Sequence, residues 1–140
     1  MIRFATIEDA VQLEKLNNEF NGAGETTLEN IKKSLKENKQ ELIIVSEEDN
    51  QLVGFLCIQL KKSFCYDDYM PEITELFVES EYRRCGISQA LMSFAEQYLK
   101  ENISFNRIEL LTNKKNLTAQ AAYAKFGFTE DSELHLSKKV

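Results

Sequence analysis

Apolar residues recur along this chain at two periods, and each change of period marks a change of element. Residues 73–78 (Ile73, Thr74, Glu75, Leu76, Phe77, Val78) are rich in β-branched and aromatic types, which suit a pleated, half-buried strand. Beyond a polar stretch, Ile87, Leu91, Phe94, Ala95 and Tyr98 return at helical spacing, with Gln89, Ser93, Glu96, Gln97 and Lys100 mostly on another face. Upstream, residues 2–5 read as a short strand, and Thr6 with Asp9 marks a helix start before Ala10, Val11, Leu13, Leu16 and Phe20. Gly22 and Gly24 end that helix. Thr26 with Glu29 opens a second helix through Leu28, Ile31 and Leu35. Two strongly apolar runs, 42–45 and 52–60, flank a polar connection and predict an antiparallel hairpin buried on both faces. Residues 61–71, with Tyr66, Asp67, Asp68 and Tyr69, read as a loop. A strand at 107–112, a helix at 117–126 and a last strand near 133–136 complete the order β-α-α-β-β-β-α-β-α-β. That order predicts an α/β (α+β) fold, a mixed sheet with helices on its faces.

A length of 140 residues fits one domain, 1–140, and is too short for two cores. The balance of 23 acidic against 17 basic residues gives a net charge of −6, which argues against general nucleic-acid binding and weakly favours a cationic partner. The first residues carry no apolar signal region, and no run approaches a membrane-spanning length, so a cytoplasmic protein without membrane contact is expected. Cys57, Cys65 and Cys85 lack metal-ligand spacing, and an odd number of cysteines suits reduced thiols. With His135 the only histidine, neither a metal site nor a Ser/His or Cys/His nucleophile system is expected.

The polar stretch between strand and helix, residues 79–88, carries the most chemistry. A helix start has unpaired N–H donors and the positive end of the helix dipole, so it can cradle a phosphate or pyrophosphate. Gly86 lets the backbone approach such a group, and Arg83 and Arg84 add positive charge. The spacing is neither G-x-x-x-x-G-K-[ST] nor G-x-G-x-x-G. By itself it reads equally well as a glycine turn with two solvated arginines.

Taken together, Arg83-x-x-Gly86-x-Ser88 after a strand, Asn116, and the run from Ala122 through Tyr123 and Phe126 to Gly127 and Phe128 resemble the GNAT superfamily of acetyl-CoA-dependent N-acetyltransferases. The resemblance covers essentially the whole chain; Ser88, where the family pattern has Gly or Ala, is its one departure in the turn. It implies the GNAT fold, a central mixed, mostly antiparallel sheet flanked by helices. It also implies transfer of acetyl from acetyl-CoA to a primary amine by direct attack in a ternary complex. The pyrophosphate would sit on Arg84, Cys85, Gly86, Ile87 and Ser88, with Arg83 nearby. The pantetheine arm would lie along Leu76, Phe77 and Val78, with an N–H near Phe77 polarising the thioester carbonyl and Asn116 touching the arm.

A protonated amine with a pKa of about 10.4 must lose a proton before it attacks, and a carboxylate is the natural acceptor. Glu72, 11 residues before Arg83, matches the general-base position of some protein-acetylating relatives, and Glu75 is its rival. On a regular strand the two face opposite sides, unless a bulge intervenes. Tyr123 falls where relatives place the tyrosine that protonates the departing thiolate; its plain alternative is a core-packing tyrosine. The acceptor stays open among an aminoglycoside or other small polyamine, a free amino acid and a protein amine. A different acyl donor, such as succinyl-CoA, is not separated from acetyl-CoA by the sequence. Many relatives pair through C-terminal strands, so the resemblance also raises a homodimer. The competing class is a CoA-binding regulatory module without turnover, which Tyr123 and Asn116 argue against.

Overall fold

The computed structural model describes residues 1–140. Strands β1 (Ile2–Phe4), β2 (Glu41–Glu48), β3 (Gln51–Lys61), β4 (Met70–Val78) and β5 (Glu109–Leu110) form one sheet in chain order. The first four are antiparallel and β5 runs parallel to β4, giving the mixed sheet expected. Helices α1 (Ala10–Asn21) and α2 (Leu28–Glu37) cover one face. Helix α3 (Ile87–Asn102) covers the other, where Tyr123 and Phe126 of the chain around α4 (Leu117–Lys125) also pack.

The near-continuous apolarity of 52–60 has the predicted consequence: β3 is buried without a break from Leu52 to Ile58. Its alternation splits the core. Phe55 and Cys57 join Val45, Phe77, Leu13 and Leu16 beneath α1, while Leu56 and Ile58 join Ile44, Ile73, Leu91, Ala95 and Leu99 beneath α3. At Gly54 the strands β3 and β4 come unusually close, since a Cβ there would lie 2.8 Å from the Phe77 carbonyl oxygen. Asp49 and Asn50, at φ 49° and 63°, make the tight turn from β2 to β3, a shorter link than the polar run suggested.

Thr6 and Asp9 do start a helical segment, first as a 3-10 turn (Ile7–Asp9) and then as α1. Asp9 is buried, accepting from the Thr6 N–H at 2.7 Å and from both Arg3 terminal nitrogens at 2.8 and 2.9 Å. Arg3 also reaches Glu47 at 2.8 Å, so one ionic cluster ties β1, β2 and the entry to α1. Gly22 closes α1 at φ 95°. The cap of α2 is Thr27, one residue later than expected; its hydroxyl accepts from the Asn30 N–H, while Thr26 takes the Asn30 side chain.

Two expectations fail near the C-terminus. The strand at 107–112 shrinks to Glu109–Leu110, and residues 133–136 form no strand, with Leu134 and Leu136 each 84% exposed. A strand needs a paired edge, and the two-residue β5 offers too little of one, so the alternating leucines have no partner within the chain. No helix is long and apolar enough to cross a membrane.

Candidate active site

The rival glutamates do not face opposite sides. Cys57 pairs with Glu75 and Ile58 with Ile73, which leaves Thr74 as an extra, exposed residue in β4. This bulge cancels the alternation and places both Glu72 and Glu75 on the face covered by α1 and α2. Their surroundings differ. Glu72 is ion-paired with Lys61 at 2.9 Å. Glu75 has no cationic partner; burial, with a smaller push from the Glu41 charge, holds its carboxyl above the ordinary glutamate value.

β4 pairs with β5 only at Glu72 and Ile73, so from residue 74 onward its outer edge is free. Which groups point into the gap follows from the opposite edge. The Glu79 N–H donates to the Val53 carbonyl at 2.8 Å, which makes Gly54–Val78 a non-hydrogen-bonded pair and Phe55–Phe77 a hydrogen-bonded one. The Phe77 N–H is therefore spent on β3, and the N–H groups of its neighbours Leu76 and Val78 face the gap.

The chain leaves β4 through a 3-10 turn (Ser80–Tyr82) and reaches the predicted phosphate cradle. Arg83 Nε donates to the Val78 carbonyl at 2.9 Å, and its guanidinium carbon lies 5.9 Å from the Phe77 ring centre. Arg84 and Gly86 take left-handed conformations at φ 63° and 80°. The N–H groups of Arg84, Cys85 and Gly86 donate to no backbone carbonyl. The bond from the Ala90 N–H to the Gly86 carbonyl opens α3, so the N–H groups of Ile87, Ser88 and Gln89 lack helical acceptors as well. No side chain caps this end, and a Cβ at Gly86 would meet nothing within 4 Å. The turn therefore leaves a run of main-chain N–H donors open at the start of α3, the kind of arrangement that attracts anions.

Tyr123 stands on α4, packed edge-on against Phe128 at 5.9 Å. Burial and the Glu75 charge raise its pKa, so the phenol keeps its proton at neutral pH. Tyr123 packs on the α3 side of the sheet, whereas Glu75 lies opposite Cys57 on the α1 side. An open groove of about 2620 Å3 runs from Glu72 and Ile73 past β5 to Tyr123 and the C-terminal segment. Asn116 caps α4, its Oδ1 accepting from the Ala119 N–H at 3.1 Å, and its amide hydrogens stay available for another contact.

The remaining polar residues divide clearly. Cys85 is exposed, whereas Cys57 is buried with its thiol pKa pushed up by desolvation. Asp68 accepts from the Ser104 hydroxyl and the Tyr69 N–H donates to the Ser104 carbonyl, so the 62–69 loop is tied at its base to the end of α3. His135 lies exposed in the unpaired C-terminal segment. Glu41, whose charge acts on Glu75, escapes a sequence reading because only the register of β2, β3 and β4 brings it there.

Comparison with known proteins agrees with this geometry. The Acetyltransferase (GNAT) family model matches residues 9–128. Human N-acetyltransferase 8 is 26% identical over 108 residues, covering 77% of this chain, and the chain spans about half the length of that relative (47%). The fold is shared with AAC(6')-Iy in complex with a bisubstrate analog, CoA-S-monomethyl-acetylneamine (TM-score 0.86, 15% identity, 100% of this chain and 97% of that one). It is shared too with ribosomal-protein-alanine N-acetyltransferase from Brucella melitensis biovar Abortus 2308 (TM-score 0.82, 16% identity, 99% and 98%). A family match over nearly the whole length, on a chain whose strand–turn–helix leaves an anion cradle open beside an unzipped strand edge, makes this protein a member of the GNAT acetyltransferase family.

Proposed function

We propose that this chain transfers an acetyl group from acetyl-CoA to a primary amine, with both substrates bound at once beside the gap between β4 and β5. The observation that carries the reading is two sets of unpaired donors in close succession, at Leu76 and Val78 on the open edge and at residues 84–89 at the start of α3. Together they offer main-chain pairing for an extended amide-bearing arm and an anion site. Bound there, acetyl-CoA supplies an activated acyl group whose C–S bond breaks as the amine forms its C–N bond.

The residues divide the work. Arg83 and Arg84 add charge to the cradle, and Asn116 offers its free amide hydrogens to the arm. The Leu76 or Val78 N–H, in place of that of Phe77, donates to the acyl oxygen as negative charge develops there. Glu75 takes the proton from the acceptor ammonium, and its raised pKa brings it nearer the operating pH than an ordinary glutamate. Glu72, held by Lys61, helps to form an anionic wall with Glu41 across the same face. Tyr123 returns a proton to the departing thiolate, whose conjugate acid has a pKa of about 8.5.

The acceptor best suited to this wall is a small polycation of the aminoglycoside or polyamine class. The shared fold with a protein seen bound to an acetylneamine-based analog supports that choice. A protein amine is the second reading, supported by the shared fold with the ribosomal-protein-alanine enzyme. A non-catalytic CoA-binding module would need the cradle but gains nothing from a protonated phenol beside the groove that Glu72 and Tyr123 line. For the C-terminal segment we propose pairing with a second copy, since Leu134 and Leu136 alternate, lie exposed and lack a partner.

Thermal unfolding with and without acetyl-CoA, with adenosine diphosphate as control, tests the donor. At a hundredfold excess over Kd the stability should rise by about 2.7 kcal/mol. No shift removes acetyl-CoA from the reading; a shift justifies a CoA-release screen against neamine, spermidine and an alanine-terminated peptide.

A further inference from the structure

Leu76 and Val78 are non-hydrogen-bonded positions toward β3, so their carbonyls, like their N–H groups, face the gap beside β5. One of those carbonyls is already occupied. Arg83 Nε donates to the Val78 oxygen at 2.9 Å, and the guanidinium carbon lies 5.9 Å from the centre of the Phe77 ring, which belongs to the face beneath α1. The Arg83 side chain thus wraps around the open edge of β4 instead of extending from the turn as a free charge.

The main chain between these two residues is held less firmly. The Tyr82 N–H closes the 3-10 turn on the Glu79 carbonyl at 2.9 Å, but the Arg83 N–H reaches the Ser80 carbonyl only at 3.4 Å, which is long for such a bond. Arg84 then turns left-handed at φ 63°. The shorter side-chain bond is therefore the tie between the start of the cradle and the strand. Its far end is fixed as well, since Phe77 is buried and stacks on Phe20 of α1 with ring centres 5.1 Å apart. A planar cation over an aromatic face adds attraction.

We propose that Arg83 is a positioning residue, which ties the turn before α3 to the open edge of β4 and so sets the register in which the acyl arm lies. The proposal rests on the acetyl-CoA reading above and deepens it. With the Val78 oxygen occupied, an arm laid along the edge from the turn meets its first open carbonyl at Leu76, instead of two carbonyls one strand repeat apart. The N–H groups of Leu76 and Val78 remain free, and the acyl oxygen arrives at them in a single register relative to the anion site.

The test uses acetyl-CoA labelled with 13C at the acetyl carbonyl, bound at saturation to the full chain in the wild type, Arg83→Lys and Arg83→Ala. A hydrogen bond to the thioester oxygen moves that resonance downfield, and no acceptor amine is needed to see it. The wild type should show the downfield shift and both variants should lose most of it. Arg83→Lys keeps the positive charge but not the planar fork, so its Kd for adenosine diphosphate should stay within about twofold of the wild type's. Arg83 is exposed, and the melting temperature of Arg83→Lys should be nearly unchanged; this variant decides the matter alone where Arg83→Ala is unstable. A wild-type carbonyl shift in Arg83→Lys overturns the positioning role and leaves the acetyl-CoA reading intact. Weakened adenosine diphosphate binding beside an intact carbonyl shift assigns Arg83 to the phosphates alone and overturns it too. A wild type that binds acetyl-CoA without a downfield shift has no polarised acyl oxygen to position, so the proposal falls while the donor stands. A wild type that does not bind acetyl-CoA removes the donor and the proposal together.

Discussion

The phenol of Tyr123 and the carboxyl of Glu75 are both shifted upward, yet the same direction bears differently on the roles proposed for them. For Tyr123 it means a phenol still protonated at neutral pH, and because a thiolate is the weaker base, with a conjugate-acid pKa of about 8.5, the proton transfer proposed for it needs help from the site. For Glu75 it means a base whose active, ionised form appears at higher pH than an ordinary glutamate's, so the acid limb of kcat/KM should lie above about pH 4.3. Tyr123→Phe should leave acetyl-CoA binding intact and lower kcat about a hundredfold, the low end of a general acid's contribution. Unchanged turnover, measured by CoA release, would remove Tyr123 from the chemistry and leave it the edge-on packing against Phe128.

At the scale of elements, the turn into α3 separates binding from folding. Gly86 is left-handed, so any side chain there is strained by about 1 kcal/mol, but the space around it is open. In Gly86→Asp the carboxylate also gains from the helix N-terminus, so calorimetry should show a folded protein with a nearly normal Tm and no acetyl-CoA binding. Normal affinity would place the phosphates elsewhere. The Arg3, Asp9 and Glu47 cluster is structural instead. Asp9 is held below its ordinary value chiefly by Arg3, so its contribution is present above the unfolded aspartate value of about 3.9 and is lost as pH falls through its lower folded value. Asp9→Ala should therefore cost about 2 kcal/mol in denaturant melts at pH 7, with the gap from wild type closing below about pH 4.

Elements with local signals were readable before the fold: the strand over 73–78, the helix from Ile87, the cap at Thr6 and Asp9 and the buried run of β3. The turn into α3, proposed as the phosphate cradle, carried a local signal for the same reason, because Arg83, Gly86 and Ser88 lie close together in sequence. What was not readable depends on pairing between distant strands. The bulge at Thr74 exists only in register with Cys57 and Ile58, and it alone decides that Glu72 and Glu75 share a face. The segment at 133–136 shows the converse, since alternation gave it strand character while the two-residue β5 left it no edge.

For the whole molecule, that unpaired segment bears on assembly. Leu134 and Leu136, exposed on a chain whose last helix ends at Lys125, would be covered by a second copy in the pairing proposed above. Sedimentation at micromolar concentration should show a dimer, and Leu134→Asp with Leu136→Asp should give a folded monomer. A monomeric wild type would dismiss the pairing. The mechanics of the site raise a separate point. Past Ile73, β4 has a neighbour on one side only, and that neighbour is β3, the strand buried without a break from Leu52 to Ile58. At Gly54 no atom separates the two backbones, so any displacement of β3 passes directly to Phe77 and Val78. The stiffness of the most open stretch of the site is thus borrowed from the deepest strand of the core, and core packing and substrate alignment are two readings of one spring.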